Sequence, residues 1–299
     1  MPKVPWTRNE GAMQENGSIV AGYDGSAEAV AAVHWAAHQA DLRGCPLHVV
    51  HCSIWPLLTR NLGPVPGVAD SGLERSSEAI LEEGIAEAGA AVPGLDVKGT
   101  LLHGLPASYL AQISEGQAMV AVGSRGLGGF LGLLVGSVSL ELAATAGCPV
   151  AVIRSDIHPA GPVVVAVDGS GSPAALEDAC AMASVSRAGL MVVHVRHMPA
   201  GYRQPDPSEA VAAEAAAAKV LQSALARARA LAPGVPVDGA VLADTSIPHA
   251  ILMASAQARM LVVGTQGRGF LRETIGSTAH AVLHHARGPV LISRRGRAE

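Results

Sequence analysis

Apolar positions follow two different periods along this chain. Short runs rich in Val and Ile are apolar at almost every position, and in the longer segments between them apolar residues recur every three or four positions. The first pattern predicts strands that are buried on both faces, and the second predicts amphipathic helices. The predicted strands of the first half are Ile19–Tyr23, Leu47–Cys52, Val97–Leu102, Met119–Gly123 and Val150–Ile153.

Helices are predicted between these strands. The first, Ala27–Arg43, follows Ser26, a residue type that caps helix N-termini. Other helices are expected to begin near Pro106 and Ser137. An apolar stripe at helical spacing predicts one more helix, and it consists of Leu73, Ile80, Leu81, Ile85 and Ala88.

The second half shows the same alternation. A helix is expected to begin at Ser172-Pro173, because Pro is favoured at the first helical position. The Ala-rich segment Ser208–Leu231 predicts a long helix. The predicted strands are Val163–Val167, Leu190–Val195, Val237–Leu242, Leu261–Gly264 and Val290–Ser293.

Several landmarks of the first half recur in the second, in the same order and 140 to 144 residues later. The recurring pairs are Val20–Ser26 with Val165–Ser170, Val122–Gly126 with Val263–Gly267, Gly136-Ser137 with Gly276-Ser277, and Pro149-Val150 with Pro289-Val290. Such self-similarity indicates a tandem duplication. The sequence therefore predicts an N-terminal extension over residues 1–17, a first domain over 18–155 and a second over 161–296.

Buried strands that alternate with helices predict the α/β class. We expect two tandem Rossmann-like doubly wound domains, each a five-stranded parallel sheet with helices on both faces. Right-handed crossovers put strands 2 and 3 on one side of strand 1, and strands 4 and 5 on the other. Ligands of such sheets bind where the strand order reverses, which here lies between strands 1 and 4.

Composition narrows the function classes. Of 299 residues, 49% are hydrophobic, 15% are charged and 3% are aromatic, and the net charge is −4. These values exclude a disordered chain, and they argue against a nucleic-acid partner, which needs a dense basic surface or stacking aromatics. The polar N-terminus and the short uncharged stretches predict a cytoplasmic protein without a membrane partner. The four cysteines, Cys45, Cys52, Cys148 and Cys180, have neither C-x-x-C nor zinc-ligand spacing.

Two unusual sequences fall at the predicted reversal point. Asp24 and Asp168 follow the first strand of each half, and glycine-rich loops follow the fourth. The first loop reads Gly123-x2-Gly126-x9-Gly136-Ser137, and a helix begins at its end. Glycines let backbone N–H groups approach a phosphate, and a helix N-terminus favours an anion. The aspartates could accept a hydrogen bond from a ribose hydroxyl or a base amine.

This combination of glycine spacing, upstream Asp, duplication and strand-2 His51-Cys52 resembles the nucleotide-binding type of the universal stress protein family, in its tandem two-domain form. The resemblance covers nearly the whole chain. It implies a cofactor, ATP with or without Mg²⁺, that is bound with little or no hydrolysis. It also implies a role in stress adaptation or growth control.

The resemblance further implies which residues contact the nucleotide. Asp24 and Asp168 would meet the adenosine end, and Cys52 and Val195 the adenine through backbone atoms. In the first half the implied set is Gly22, Asp24, Cys52, Gly123, Ser124, Arg125, Gly126, Gly128, Gly129, Gly136, Ser137 and Val138. In the second half it is Ala166, Asp168, Val195, Gly264, Thr265, Gln266, Gly267, Arg268, Gly269, Gly276, Ser277 and Thr278. No catalytic residue and no metal ligand is expected.

The two sites are not equivalent in sequence. The second loop is one residue shorter, which is up to ~3.5 Å of chain. Gln266 replaces Arg125, and Arg268 stands in the place of Leu127. We expect the second site to bind, with altered phosphate geometry and a different affinity.

Purely structural interpretations of these residues stay open at this point. Asp24 and Asp168 could cap the helices that follow them, the glycines could form a flexible connector, and Ser137 and Ser277 could be ordinary N-caps. His51 and His194, at the ends of apolar strands, are expected to make local hydrogen bonds rather than to bind metal.

Other function classes are also weighed. A P-loop phosphotransferase needs a Lys at the end of its loop, and Lys3, Lys98 and Lys219 all lie elsewhere. A Rossmann dehydrogenase would carry its glycines after strand 1, whereas here they follow strand 4. A hydrolase of the α/β type would carry a Gly-x-Ser-x-Gly elbow, and this sequence has none. A weak ATPase remains open, as does a nucleotide-free module that forms homodimers through edge strands. The apolar final strands are expected to pair between the repeats, and also between chains.

Overall fold

The computed structural model describes residues 17–53, 72–126, 135–198, 206–265 and 275–294. The strands of the first repeat are β1 (Ile19–Gly22), β2 (Leu47–Ser53), β3 (Val97–His103), β4 (Met119–Gly123) and β5 (Val150–Ile153). Those of the second repeat are β6 (Val163–Val167), β7 (Leu190–His197), β8 (Val237–Asp244), β9 (Met260–Gly264) and β10 (Val290–Ser293). The helices are α1 (Ala27–Arg43), α2 (Gly72–Ala91), α3 (Pro106–Ile113), α4 (Ser137–Thr145), α5 (Pro173–Ser186), α6 (Pro207–Leu231), α7 (Ile247–Ala254) and α8 (Ser277–His285).

All ten strands belong to one sheet, in the order β3-β2-β1-β4-β5-β10-β9-β6-β7-β8. Within each repeat the neighbouring strands are parallel. The predicted α/β fold with five parallel strands per repeat is therefore confirmed, and so is the reversal of strand order between strands 1 and 4. The two predicted sheets are fused into a single one.

Helices cover both faces of this sheet. Helices α1, α2, α5 and α6 pack on one face against alternate strand residues such as Ile19 and Val163. Helices α3, α4, α7 and α8 pack on the other face, against the residues between them, such as Val20 and Val164. Because strand side chains alternate between faces, strands that are apolar throughout supply both cores.

The pairing of β5 with β10 joins the repeats. These strands are antiparallel, with Val152 opposite Val290 and Val150 opposite Ile292. The predicted pairing of the final strands between repeats is confirmed. Since β4 and β9 occupy their other sides, neither final strand has an open edge for pairing with another chain. The sheet instead ends in β3 and β8.

Two arginines reach across this seam. Arg154, which follows β5, is 8% exposed and donates from Nη2 to the carbonyl of Leu283, near the C-terminus of α8. Arg294, which follows β10, donates to the carbonyls of Ala143 and Ala146 at the C-terminus of α4, each at 2.8 Å. The last four carbonyls of a helix lack intrahelical partners, and cations are favoured there. Each repeat thus caps the last helix of the other.

The ends of several strands differ from the predictions. Strands β2, β3, β7 and β8 extend one or two residues beyond their predicted ends, because polar residues such as His103, His197 and Asp244 continue the parallel ladders. A sequence pattern predicts the end of a strand where the apolar residues end, whereas the backbone hydrogen bonds of the strand continue past that point.

The helices in the described part of the chain do not meet the requirements of a membrane span, since none of them combines the necessary length and hydropathy.

We predict that Arg294→Ala lowers the free energy of unfolding by about 1–3 kcal/mol, because it leaves two helix C-terminal carbonyls without their charged donor. Urea denaturation followed by circular dichroism measures this change. Arg227→Ala is the matched control, since Arg227 makes only an exposed ion pair with Glu177 and should change stability by about 0–1 kcal/mol. Equal losses in the two variants would contradict the capping role.

Candidate functional site

The structure brings Asp24 and Gly126 together, although about 100 residues separate them in the sequence. A Cβ atom placed on Gly126 would lie 2.3 Å from Asp24 Oδ2. The other carboxylate oxygen, Oδ1, accepts a hydrogen bond from the backbone N–H of Ser26 at 3.1 Å. The acidic side chain and the start of the glycine loop are therefore in contact, at the carboxyl ends of β1 and β4.

The strand-2 histidines help to position both aspartates. His51 Nδ1 lies 2.8 Å from the carbonyl oxygen of Tyr23, the residue before Asp24. His194 Nδ1 lies 2.9 Å from the carbonyl oxygen of Val167, the residue before Asp168. The predicted local hydrogen bonds of these histidines are confirmed. They tie the end of the first strand to the second in each repeat.

The residue whose side chain caps helix α1 is Ser26 rather than Asp24. Its hydroxyl accepts the N–H of Ala29 at 3.2 Å and so caps α1, as the sequence predicts. The Asp24 carboxylate is half-buried and lies against Gly126.

Each glycine loop is closed at its base by the same hydrogen bond. The Gly136 amide donates to the Ser124 carbonyl at 2.7 Å, and the Gly276 amide donates to the Thr265 carbonyl at 2.8 Å. Ser124 is itself anchored to β5, since its amide donates to the Ile153 carbonyl at 3.0 Å. The two ends of the loop are therefore equivalent in both repeats, despite the missing residue in the second.

This closure decides which groups at the start of α4 can face a ligand. The amide of Gly136 is occupied, but the first amides of the helix, at Ser137 and Val138, have no intrahelical acceptor. The Ser137 side chain is exposed and that of Val138 is half-buried. In the second repeat, Ser277 and Thr278 stand at the same two positions, exposed and half-buried.

The glycines at this end of the sheet serve different purposes. A Cβ on Gly123 would lie 2.8–2.9 Å from atoms of Glu28, so Gly123 allows the close approach of β4 to α1. A Cβ on Gly22 would crowd Leu110 and Val122 at 3.1 Å. A Cβ on Gly136 would meet only ordinary contacts at 3.6 Å. Close packing thus explains why residues 22 and 123 are glycines, whereas packing does not require a glycine at position 136.

Two guanidinium groups stand beside the first loop, together with two carboxylates. Arg125 makes an ion pair with Glu28, in the first turn of α1, at 3.3 Å. Burial lowers the pKa of Arg154 to about 10, with a further contribution from the charge of Arg125. Arg154 therefore remains protonated at neutral pH. Asp24 and Glu28 lie at the same end of the sheet, so the charges there are mixed.

Cys52 and Val195 stand at equivalent ends of β2 and β7, and both are half-buried. Burial raises the pKa of the Cys52 thiol to about 11, so it is protonated at neutral pH. All four cysteines are free. The backbone at these two positions, rather than reactive sulfur, is what the site offers.

Asp168 has a different environment from Asp24. The loop before the helix is two residues longer in the second repeat, and it brings Ser170 and Ser172 to the carboxylate. Asp168 Oδ1 accepts from the Ser170 amide at 2.9 Å, the Ser170 hydroxyl at 2.5 Å and the Ser172 hydroxyl at 3.1 Å. Burial raises the pKa of Asp168, but these hydrogen bonds outweigh it and leave the pKa below its ordinary value. One carboxylate oxygen is therefore satisfied by the protein itself.

Helix α5 begins at Pro173 as predicted, but Ser172 does not cap it with its side chain. Ser172 adopts a left-handed conformation, with φ 42°, and its hydroxyl also accepts the Asp168 amide at 3.0 Å. The serine that would cap the helix is therefore used to hold the aspartate.

Because β5 and β10 are antiparallel, the strands of the two repeats run in opposite directions. The carboxyl ends of the strands in one repeat therefore point the opposite way from those in the other repeat, and the two candidate sites face in opposite directions along the strands.

The remaining predicted residues of the second site are placed as follows. Ala166 and Gly264 stand near the ends of β6 and β9. Six predicted site residues lie outside the described residues, namely Gly128, Gly129, Gln266, Gly267, Arg268 and Gly269.

The sequence analysis missed several residues of this region. Arg154 and Arg294 recur 140 residues apart, the same offset as the Gly-Ser landmarks, so the repeat comparison contained the signal. Arg294 begins a short basic run in the sequence, which by itself indicates an exposed, solubilising segment, but it is partly buried and caps α4. Ser139, whose hydroxyl holds the Gly123 carbonyl at 2.9 Å, carried no sequence signal.

Comparisons with known proteins show what the chain as a whole is similar to. A family model described as "Universal stress protein family" matches residues 15–154 and 160–294. A universal stress protein of Mycobacterium tuberculosis (strain ATCC 25618 / H37Rv) is 36% identical over 293 residues, which cover 93% of this chain and 97% of the relative. A second universal stress protein of that strain is 33% identical over 309 residues, which cover 95% and 96%.

Among solved structures, a universal stress protein from Archaeoglobus fulgidus DSM 4304 is similar, with a TM-score of 0.65 and 23% sequence identity. The alignment covers 94% of this chain and 97% of that one. This likeness supports the fold of the full tandem chain.

The hydrogen bonds to Asp168 predict a pH dependence of stability. Because the folded protein lowers the pKa of this carboxyl, its charged form stabilises the fold above the unfolded value of about 3.9, and that contribution is lost as the pH falls towards the folded value. Asp168→Asn should therefore lower the free energy of unfolding by about 1 kcal/mol at pH 7, and by less as the pH falls from 5 to 3.

Urea unfolding at each pH measures this difference. Asp238→Asn, at an exposed position on β8, serves as the control and should have little effect at either pH. A loss for Asp168→Asn that is the same at pH 7 and pH 3 would contradict a charge-assisted network.

Proposed function

This chain belongs to the universal stress protein family, and we propose that it binds an adenine nucleotide, ATP, in the cleft at the carboxyl ends of the first and fourth strands of each repeat. The observation that carries the proposal is the position of Asp24 Oδ2, 2.3 Å from where a Cβ on Gly126 would be. Any larger residue at 126 would displace the Asp24 carboxylate or the start of the glycine loop.

The groups in the cleft fit the parts of a nucleotide. The Asp24 carboxylate can accept hydrogen bonds from ribose hydroxyls or a base amine, and the backbone beside Cys52 can meet the edge of the base. The free first amides of α4 at Ser137 and Val138 suit phosphate oxygens, and the Ser137 hydroxyl adds a donor. Arg125 adds positive charge at the phosphate end.

We further propose that ATP is bound with little or no hydrolysis. Fast phosphoryl transfer depends on neutralising charge on the transferred group, commonly by a loop lysine and Mg²⁺. The lysines of this chain are Lys3, Lys98 and Lys219, and none belongs to a glycine loop. Mg²⁺ can accompany the nucleotide through the phosphates themselves. The residues at the cleft then act as a binding site rather than as catalysts.

The proposed role is that of a nucleotide-dependent regulator of stress adaptation or growth in the cytoplasm. Bound nucleotide would report the state of the cell by occupying a site that does not consume it. If the protein also forms homodimers through sheet edges, those edges are β3 or β8, since β5 and β10 pair within the chain.

The second site is proposed to bind more weakly than the first. Its carboxylate, Asp168, already accepts three hydrogen bonds on one oxygen, and Gln266 replaces Arg125. A nucleotide hydroxyl must share this acceptor or use the other oxygen. Ser277 and Thr278 still provide a helix N-terminus for phosphate.

A nucleotide-free interaction module and a weak ATPase are the alternatives. Denaturing the purified protein and separating the supernatant by chromatography would reveal adenine nucleotide that copurifies. Absence of released nucleotide, together with no heat of binding on titration with ATP, would favour the interaction module. Single-turnover formation of ADP that is lost in Gly126→Ala would favour the ATPase.

We predict that Gly126→Ala weakens ATP binding at the first site by at least about tenfold, because the new Cβ displaces either the Asp24 carboxylate or the loop. Isothermal titration calorimetry measures the change. Gly89→Ala is the matched control, since a Cβ there, within α2, meets nothing within 4 Å and Ala favours a helix. Unchanged affinity in Gly126→Ala would contradict the proposed cleft.

Single aspartate variants test the inequality of the sites. Asp24→Asn should abolish or weaken the tighter of two binding events, and Asp168→Asn should affect only the weaker one. A charge-assisted hydrogen bond is worth roughly 1.5–3 kcal/mol, so affinities that differ by about tenfold or more are expected. Equal affinities at both sites, measured by calorimetry on the two variants, would defeat the claim of inequality.

A further inference from the structure

A groove lies between α1 and α5, where the two repeats meet on one face of the sheet. Its volume is about 560 Å³, within the range of roughly 300–1,000 Å³ that is typical of small-molecule sites. None of its lining residues belongs to the nucleotide site proposed above. Arg259 and Met260, for example, lie at the amino end of β9.

Both repeats supply apolar walls to this groove. Trp35 and Leu42 come from α1, Met182 comes from α5, and Ile157 comes from the connection between the repeats. Leu42 is 52% exposed and Ile157 is 42% exposed, so the rim presents apolar surface to water. Ligand sites occur preferentially at junctions of this kind between domains.

Arg259 brings a positive charge to the lining of the groove. Its Nη2 donates to the carbonyl of Pro159, which holds the guanidinium at the amino end of β9. A guanidinium group matches the geometry of a carboxylate or sulfonate. Charge complementarity at the groove therefore favours a ligand with an anionic group.

The other charged and titratable groups of the lining are His34, His38 and Asp41. His34 is already paired with Glu87, its Nε2 lying 2.6 Å from the carboxylate. His38 and Asp41 are exposed. Among the described residues that line the groove, Arg259 is the one arginine or lysine, and its charge can meet a ligand there.

We propose that this groove binds a small amphipathic organic anion, with an aromatic or alkyl body against Trp35, Leu42 and Met182 and one carboxylate or sulfonate at Arg259. The site takes one ligand for each chain, because residues of both repeats are needed to form it. The proposal is independent of nucleotide binding.

The test uses 1-anilinonaphthalene-8-sulfonate, whose emission rises when its ring enters an apolar site. We expect saturable binding of one probe per chain, unaffected by saturating ATP. Arg259→Gln should weaken binding by at least about tenfold, because it removes the charge that meets the sulfonate. Arg227→Gln, the same substitution at an exposed ion pair on α6, should leave the affinity unchanged.

A second variant guards against misfolding of the first. Leu42→Glu adds a negative charge at an exposed rim position and should also weaken binding of the anionic probe. Displacement of the probe by ATP, or wild-type affinity in both Arg259→Gln and Leu42→Glu, would overturn the proposal. A wild-type dimer that Leu42→Glu dissociates in sedimentation velocity would also overturn it, since the groove would then be an interface between copies.

Discussion

The antiparallel pairing of β5 with β10 is the constraint from which the rest of the architecture follows. Both strands are fully buried, and every residue in them except Ser293 is apolar, so alone each would be an open edge that invites association. Paired, they give every buried strand a partner on both sides and leave β3 and β8 as the ends of the sheet. Those end strands carry charged residues such as Lys98 and Asp238, which suit an edge that faces water. The two repeats thereby share one continuous sheet.

The direction of this pairing also explains the two arginines. Because the strands run in opposite directions, the end of each final strand reaches the C-terminus of the last helix in the other repeat. Arg154 and Arg294 occupy these points and donate to helix carbonyls that have no partner of their own. The parallel pairing of β4 with β5, which sets Gly123 opposite Ile153, puts Arg154 near Arg125 beside the first glycine loop. The pairing of β5 with β10 thus lets each repeat supply a cation to the last helix of the other.

The two repeats share the same hydrogen bonds around the aspartate and the glycine loop but differ in the segment that follows the aspartate. The histidine that binds the backbone before the aspartate, and the hydrogen bond that closes the glycine loop, recur in both halves. The segment after the aspartate does not recur. Two additional residues in the second repeat bring serine hydroxyls to Asp168, whereas in the first repeat Ser26 caps α1 and Asp24 faces Gly126. Two additional loop residues thus change what the carboxylate contacts. In the first repeat it lies against the glycine loop, and in the second it accepts hydrogen bonds from serines of its own loop.

The sequence by itself determined the duplication, the order of strands in each repeat and the meeting of Asp24 with the glycine loop. These follow from local periodicity and from the handedness of crossovers, and both are properties of short segments. It could not show that the Gly136 amide is occupied, that Gly123 serves packing against Glu28, or that Ser172 leaves its helix to hold Asp168. Only the tertiary structure decided these, along with the opposite openings of the two sites and the cross-capping by Arg154 and Arg294. Each depends on which atoms of distant segments come within hydrogen-bonding or van der Waals distance, and the pattern of apolar and polar positions does not encode that distance.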